Sequence, residues 1–456
     1  MLLGIRFRLR QLAFDLDVGL LVRPGAIALA YGVLAPLVVA LERRHPEAGA
    51  WASHLFGIAH EDASAAQVML GTVAGASMTI VSVVYSVLLM ALSLASMQYS
   101  PRLLGHFLRD RVSQNTLGVF VGTFTFCLLV LRSVRGGDEP FVPALGVTLG
   151  LVAGFVALGF LVYFIHHIAR GIQANHILER SSRSTIAIIE QEFPELRAPA
   201  TDDLDDASAS APLPAPAPDA LGVAAPSSGY VQLLDEAALV ELARTHGLTI
   251  YVRRGVGDWA IEGNPLLYLA RRAPDPAGAH GPGSPSDELL EACAAAFDLG
   301  EVRTLQQDVD FGLRQIVDMA LKAISPAVND PSTAASCVDH LGRLLCLLAR
   351  RRMPPPVVRD ADGQPLLVRR GPSFERSLDL AMNQLRQYGR GDLSLSLRLL
   401  GALQDVATTA RGRLPRGRIL HHARLVVAGL SPDFLPADRA VLDGRLQALE
   451  AECQRG

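Results

Sequence analysis

Apolar residues gather in four long runs in the first part of the chain, at 25–41, 68–97, 116–131 and 141–168. The run at 68–97 has no Asp, Glu, Lys, Arg or His. As a helix it would reach about 45 Å, more than a hydrocarbon core requires. Its small and hydroxylated residues, Gly71, Gly75, Thr79, Ser82, Ser86, Ser93 and Ser96, recur at near-helical intervals and form one stripe. Val, Leu, Met and Ile fill the other faces. A helix surrounded by lipid needs no such stripe, so the pattern directs this face toward another helix or toward water. The runs at 25–41 and 116–131 are short for a span and rely on flanking arginines that snorkel.

Beyond residue 168 the pattern changes to mixed, amphipathic elements. Residues 169–197 extend the fourth helix out of the apolar region and stop at Pro194. Residues 198–228 are rich in Pro, Ala, Ser and Asp with few large apolar side chains, the composition of a disordered linker. Residues 229–272 read as a small α/β module, with a helix capped at Asp235 and closed by Gly247, then alternating strands. Its turns are similar to those of biotinyl/lipoyl-type half-barrels, but it has no lysine to modify. Residues 287–352 form a helix–turn–helix broken at Ser325-Pro326, with Asp330 as N-cap and Pro331 at the first helical position. A hairpin turns at Asp362-Gly363 within 353–373, and amphipathic helices at 374–389, 392–411, 418–429 and 437–453 complete the region 374–456.

The fold class that follows is an α-helical membrane protein: four transmembrane helices plus a cytoplasmic α+β C-terminal region, mostly helical with a small β-module. Arginine placement sets the orientation. With the basic segment 1–24 inside, Arg6, Arg8, Arg10, Arg23, Arg102, Arg109, Arg111, Arg170, Arg180 and Arg183 face the cytoplasm. Only Arg43, Arg44, Arg132 and Arg135 then face outward. Both termini are expected in the cytoplasm of a bacterial inner (plasma) membrane. The basic start lacks a cleavable signal pattern, so the first run is expected to stay as an anchor.

Composition agrees with a membrane part joined to a solvated part: 50% of the 456 residues are hydrophobic and 19% charged. A net charge of −3 gives no electrostatic reason to expect nucleic acid as a partner. The five cysteines show no C-x-x-C spacing, as for unpaired thiols in a reducing compartment.

Candidate chemistry is sparse. A neutral path could be lined by Gly75, Thr79, Ser82, Ser86, Ser93 and Ser96, while the same stripe would equally serve helix packing within the unit or between subunits. Arg102, Arg109 and Arg111 would sit at the inner mouth or contact anionic lipid. The apolar runs hold no carboxylate, lysine or arginine for proton relay. In the soluble half, Asn329, Asp330, Ser332 and Thr333 mark a helix N-terminus that can hold an anion, with Arg303, Asp308 and Arg314 converging on the same turn. The bland reading is a capped inter-helix corner tied by an Arg–Asp pair. His166, His167 and His176 do not share a helical face, and adjacent His421 and His422 point apart, so no metal set is expected. No phosphate-loop, nucleophile-elbow or zinc-protease motif occurs, and neither catalysis nor a cofactor is expected.

Two segments carry a resemblance. ASMQYSPRLLGHFLRD followed by LGVFVGTFTFCLLVL, and later FGLRQIVDMA with AISPAVNDPSTA, resemble an uncharacterised family of predicted prokaryotic membrane proteins known only as a domain of unknown function. The GYVQ segment is also similar. The resemblance implies four spans, a cytoplasmic C-terminal region and no assigned activity. The leading expectation is a homo-oligomer in the lipid bilayer, channel- or transporter-like, with helix 68–97 on a central path and the cytoplasmic domain gating it. The alternative is a membrane-anchored sensor or scaffold that binds a partner, small ion or anionic ligand at the 303–339 corner.

Overall fold

In the computed structural model, residues 22–45, 47, 63–98, 110–136, 141–171, 174–195, 213–272, 286–409 and 416–455 are described. The chain divides into two units, residues 1–176 and 177–456. Among the described residues, four helices of the first unit are long and apolar enough to cross a membrane. They are α1 (Val22–Arg44), α2 (Ala63–Gln98), α3 (Arg111–Leu131) and α4 (Ala144–Gly171).

The two short runs become full-length helices because polar turns are folded into the bundle. α3 begins at Arg111, well before the apolar run, since the Asp110 carboxylate accepts the Ser113 amide at 3.0 Å. Ser113, Gln114 and Thr116 of this first turn are buried. α1 continues to Arg44, and the buried Glu42 carboxylate accepts the Leu145 amide at 3.1 Å, in the first turn of α4. α4 starts at Ala144 rather than 141 because Phe141 pairs with Arg135 in an antiparallel bridge and Pro143 follows. At the other end of α4, His167 Nε2 meets Asp110 Oδ1 at 2.9 Å. Both ends of α4 are therefore tied to neighbours by a carboxylate.

The bundle is centred on α3, not on α2. α3 is buried over most of its length, the other three helices over a minority. Glycines on α3 and α4 make the close approaches. A Cβ at Gly122 would stand 2.9 Å from the Tyr31 ring, and one at Gly118 3.0 Å from the Pro24 Cα. A Cβ at Gly146 would meet Val130 at 2.9 Å, one at Gly150 Leu70 at 2.9 Å, and one at Gly154 Val73 at 3.2 Å. Leu70, Phe126, Cys127, Val130 and Val147 fill the interior between them. The G-x-x-x-G pairs that matter for packing within the unit are thus 118/122 and 146/150/154. At Gly71 and Gly75 an added Cβ meets nothing within 4 Å.

The run expected to prolong the fourth helix is helical over α5 (Ala174–Glu192), and residues 172–173 before it lie outside the described residues. Its Ser181, Ser182 and Thr185 are buried, and Ser181 Oγ donates to Gln315 Oε1 at 3.0 Å. Residues 221–224, expected in the disordered linker, form strand β1 (Leu221–Ala224). A short apolar segment can be ordered by pairing along another strand, a gain that composition does not reveal. Residues 198–212 lie outside the described residues.

The remaining order is β2 (Gly229–Leu234), α6 (Glu236–Thr245), β3 (Leu248–Val252), β4 (Trp259–Ala260), β5 (Pro265–Arg271), α7 (Asp287–Ala295) and β6 (Phe297–Gly300). There follow α8 (Val309–Ala323), α9 (Pro331–Leu348), β7 (Val357–Arg359) and β8 (Pro365–Arg369). The chain ends with α10 (Phe374–Tyr388), α11 (Leu393–Thr409), α12 (Arg416–Ala428) and α13 (Pro436–Arg455). One sheet has the order β1-β5-β3-β8-β7 and a second β4-β2-β6. The expected module at 229–272 is thus only part of a larger one. The β7–β8 hairpin joins it through a parallel β3–β8 pairing, with Ile250 opposite Leu367 and Val252 opposite Arg369. Ile250, Leu267, Leu269 and Leu367 share a core with Leu239 of α6 and Cys293 of α7. The helices from α8 onward pack around Leu313, Ile316, Val338, Leu341, Leu378, Leu399 and Leu403, all buried.

His422 is buried among these helices, with Nε2 at 2.7 Å from Asp379 Oδ1, while Arg418 donates to Asp379 Oδ2 at 2.5 Å. Burial lowers the His422 pKa below its ordinary 6.5; Asp379 opposes this, and Arg418 and His421 add to it.

Two outcomes are expected. Gly122→Val and Gly150→Val should destabilise the bundle by about 1–3 kcal/mol through overpacking. Gly71→Val should leave the monomer within about 0.5 kcal/mol. Thermal unfolding in detergent, read by circular dichroism, distinguishes them. For His422 the folded state binds fewer protons than the unfolded state between its lowered pKa and 6.5. Stability of the second unit should therefore fall as pH drops below 6.5, and His422→Gln should flatten that part of the profile in fluorescence-detected unfolding.

Candidate functional site

The striped face of α2 points away from its own bundle. Gly71, Gly75, Thr79, Ser82, Ser86 and Ser93 are all exposed, whereas Leu70, Ala74, Ser77, Val84 and Ala91 on the other side are buried. The side chain of Ser96 lies outside the described residues. Packing within the unit, one of the uses the sequence allows for the stripe, therefore does not occupy it among the described residues. Several hydroxyls are already satisfied along the helix. Thr79 Oγ1 donates to Gly75 O at 3.0 Å, and Ser86 Oγ to Ser82 O at 2.8 Å. A hydroxyl bonded to its own backbone tolerates a close, dry helix contact as well as water. Val83, Tyr85, Leu89 and Met90 beside the stripe are exposed too.

Of the inner-mouth arginines, Arg111 opens α3 and is exposed; Arg102 and Arg109 lie outside the described residues. Asp110 and His167 join the ends of α3 and α4, and Glu42 caps α4 at its opposite end. Sequence reading missed Glu42 because it follows the apolar run by one residue and looks like a flanking charge. Its signal would have been position alone: a carboxylate at one helix end can satisfy the free amides of a neighbouring helix start.

The 303–339 corner separates into two caps. Arg303 donates from Nε to Asp308 Oδ2 at 2.9 Å, and Asp308 Oδ1 accepts the Phe311 amide at 2.9 Å, opening α8. Burial raises the Asp308 pKa, and Arg303 and the Phe311 amide oppose that rise. Gly257 closes over this pair at φ +84°, where an added Cβ would collide with both side chains. Asp330 opens α9, its carboxylate accepting the Thr333 amide at 3.0 Å and the Thr333 hydroxyl at 2.6 Å. These bonds hold its pKa below the usual carboxylate value. Asn329 sits at φ +49°, the left-handed geometry that lets the chain leave α8. Ser332 is exposed, and its carbonyl accepts the Ser336 hydroxyl at 3.1 Å.

The two caps do not converge. Asp308 precedes α8 and Asp330 follows it, and the 15 residues between the ends of that helix span about 22 Å. Arg314 turns to Asp318 at 3.1 Å, one helical turn on, and not to Asp308. The residues expected at one corner, Arg303, Asp308, Arg314, Asn329, Asp330, Ser332 and Thr333, are therefore divided between two caps and a half-buried ion pair. Among the described residues, no three His, Cys, Asp or Glu side chains stand together as for a metal. Burial pushes the Cys293 thiol up to about 11 and Cys337 to about 12, far from an activated nucleophile.

Comparison with known proteins fits this architecture. The family model described as "Predicted membrane protein (DUF2254)" matches residues 19–405. An uncharacterized protein of Mycobacterium bovis is 35% identical over 380 residues, 82% of this chain and 70% of its own length. An uncharacterized protein of Mycobacterium tuberculosis matches with the same figures, 35% over 380 residues, 82% and 70%. No solved structure matches. With four apolar helices long enough to span a bilayer and a family match over most of its length, the chain belongs to the DUF2254 family of predicted membrane proteins.

Proposed function

We propose that the protein is a homo-oligomer of the bacterial inner membrane, in which copies turn the striped face of α2 toward a shared axis. The carrying observation is that this face is exposed along its length while the opposite face of the same helix is buried against the bundle. Glycines at 71 and 75 leave room for a neighbouring backbone. Hydroxyls already bonded within the helix impose no polar penalty on that contact. In this reading Ser82, Ser86 and Ser93 line a neutral path, the second unit lies in the cytoplasm and gates it, and the lipid bilayer and further copies of the chain are the partners. The reading invokes no catalytic step and no cofactor. The sensor or scaffold alternative has less support, because the charges that would draw a ligand to the corner are engaged at opposite ends of α8.

The test places single cysteines at Ser82, Ser86 and Ser93 in a background where Cys127 is Ala. In native membranes each should cross-link to its counterpart in another copy under mild oxidation, and a water-soluble thiol reagent should label it. Cross-linking without labelling would leave an assembled but dry axis and overturn the path. Neither cross-linking nor labelling, in protein that still folds, would overturn the assembly itself.

A further inference from the structure

One sequence is used twice at one end of the five-stranded sheet. Val252-Arg253-Arg254-Gly255 leaves β3, and Val368-Arg369-Arg370-Gly371 leaves β8. The two strands are parallel, with Val252 opposite Arg369, so both arginine pairs emerge side by side from the same end. The backbones stay adjacent beyond the last paired residues: a Cβ at Gly255 would lie 3.5 Å from Arg370 O. Neighbouring strands are about 4.8 Å apart, so four guanidinium groups are anchored within side-chain reach of one another. Arginine does not shed its charge at any physiological pH, so the repulsion cannot be relieved by deprotonation.

Among the described residues, a carboxylate pairs directly with one of the four arginines. Arg369 is buried and pairs with Glu236 at 2.9 Å. Asp258, the nearby acid on the β3 turn, accepts the Gly255 amide at 2.9 Å. Arg253 is exposed and donates to the Tyr268 hydroxyl at 2.7 Å, a neutral partner that fixes the side chain without cancelling its charge. Arg370 is exposed, Arg254 is half-buried, and among the described residues neither meets a carboxylate. The amides of Arg253 and Arg254 both donate to Leu266 O, at 2.9 and 3.0 Å, so a bulge holds the turn in shape. Like charges at adjoining positions of a sheet are destabilising unless something lies between them. Here the strands fix that juxtaposition, Tyr268 orients one member, and among the described residues Arg253, Arg254 and Arg370 form no ion pair.

We propose that the adjoining V-R-R-G ends of β3 and β8 bind a phosphate group, with Arg253 and Arg370 as its principal donors and Arg254 beside them. Planar guanidinium forks match the non-bridging oxygens of a phosphate group, which forks from two different strands can share. The site is separate from the α2 face and stands whether or not that face mediates assembly. The phosphate can belong to a soluble anion or to a lipid headgroup, which share this chemistry.

The full-length protein in detergent is titrated by calorimetry with inorganic phosphate and, separately, with a short-chain phosphatidylglycerol. Arg253→Gln, Arg370→Gln and their double variant are compared with Arg445→Gln, which removes an exposed arginine on α13. Each site variant should weaken binding about tenfold or more, as expected for loss of a charge-assisted bond, and Arg445→Gln should not. Binding of inorganic phosphate would identify a soluble anion, and binding of the lipid alone a headgroup; either result supports the site if it depends on Arg253 and Arg370. In phosphate-free, low-salt buffer the two single variants should unfold at a temperature no lower than the parent, because a repulsion has been removed. No binding of either probe by the parent, equal binding by the double variant, or equal weakening by Arg445→Gln would overturn the proposal.

Discussion

Inside a bilayer a polar group must find its partner within the protein, and that constraint shapes the four-helix unit. Helix ends carry amides and carbonyls with no intrahelical partner. α4 meets the requirement at its start through Glu42, and near its finish His167 turns to Asp110, the residue that also caps α3. These two ties fix α4 lengthwise against α1 and α3. With the length fixed, glycines at 118, 122, 146, 150 and 154 set how closely the helices approach, since side chains of the neighbouring helix occupy the space a Cβ would need. α3 becomes the buried centre, and α2 is left with one face packed and one face free.

The second unit solves a different problem, how to join elements distant in sequence. The parallel pairing of β3 with β8 brings the hairpin after α9 back into the sheet begun before α6. Carboxylate caps then set where helices begin: Asp235 on α6, Asp308 on α8 and Asp330 on α9. Arg303 secures the second of these from outside the helix, and Gly257 has no side chain because the pair fills that space. The same parallel pairing places two arginine pairs side by side, a consequence of topology that neither strand carries alone.

Two surfaces stand out among the described residues, one in each unit. The free face of α2 and the arginine end of the sheet share a property: each is positioned by its own unit and carries exposed side chains, Ser82 and Ser86 on one and Arg253 and Arg370 on the other. A face that is small, hydroxylated and satisfied along its own backbone suits another helix or a narrow path. A surface with several unneutralised guanidinium groups suits an anion. The caps at Asp308 and Asp330, by contrast, have their partners already and stabilise corners.

The sequence by itself determined what is local. Four apolar runs, the caps at Asp235 and Asp330, the turn at Gly363 and the helices after Phe374 follow from hydropathy, periodicity and residue chemistry read within a few turns of chain. Tertiary structure decided what depends on distant partners. It chose which glycines pack, because a G-x-x-x-G pattern looks the same at 71/75 as at 118/122 until a neighbour stands over it. It lengthened α3 into a polar turn, because burial and the Asp110 cap outweigh the low hydropathy of Ser113 and Gln114. It ordered β1 by giving it β5 as a partner. It also parted Asp308 from Asp330, because residues near in sequence stand a full helix length apart when a helix lies between them. Periodicity reports which way a side chain faces along its own element, and only packing decides what it meets.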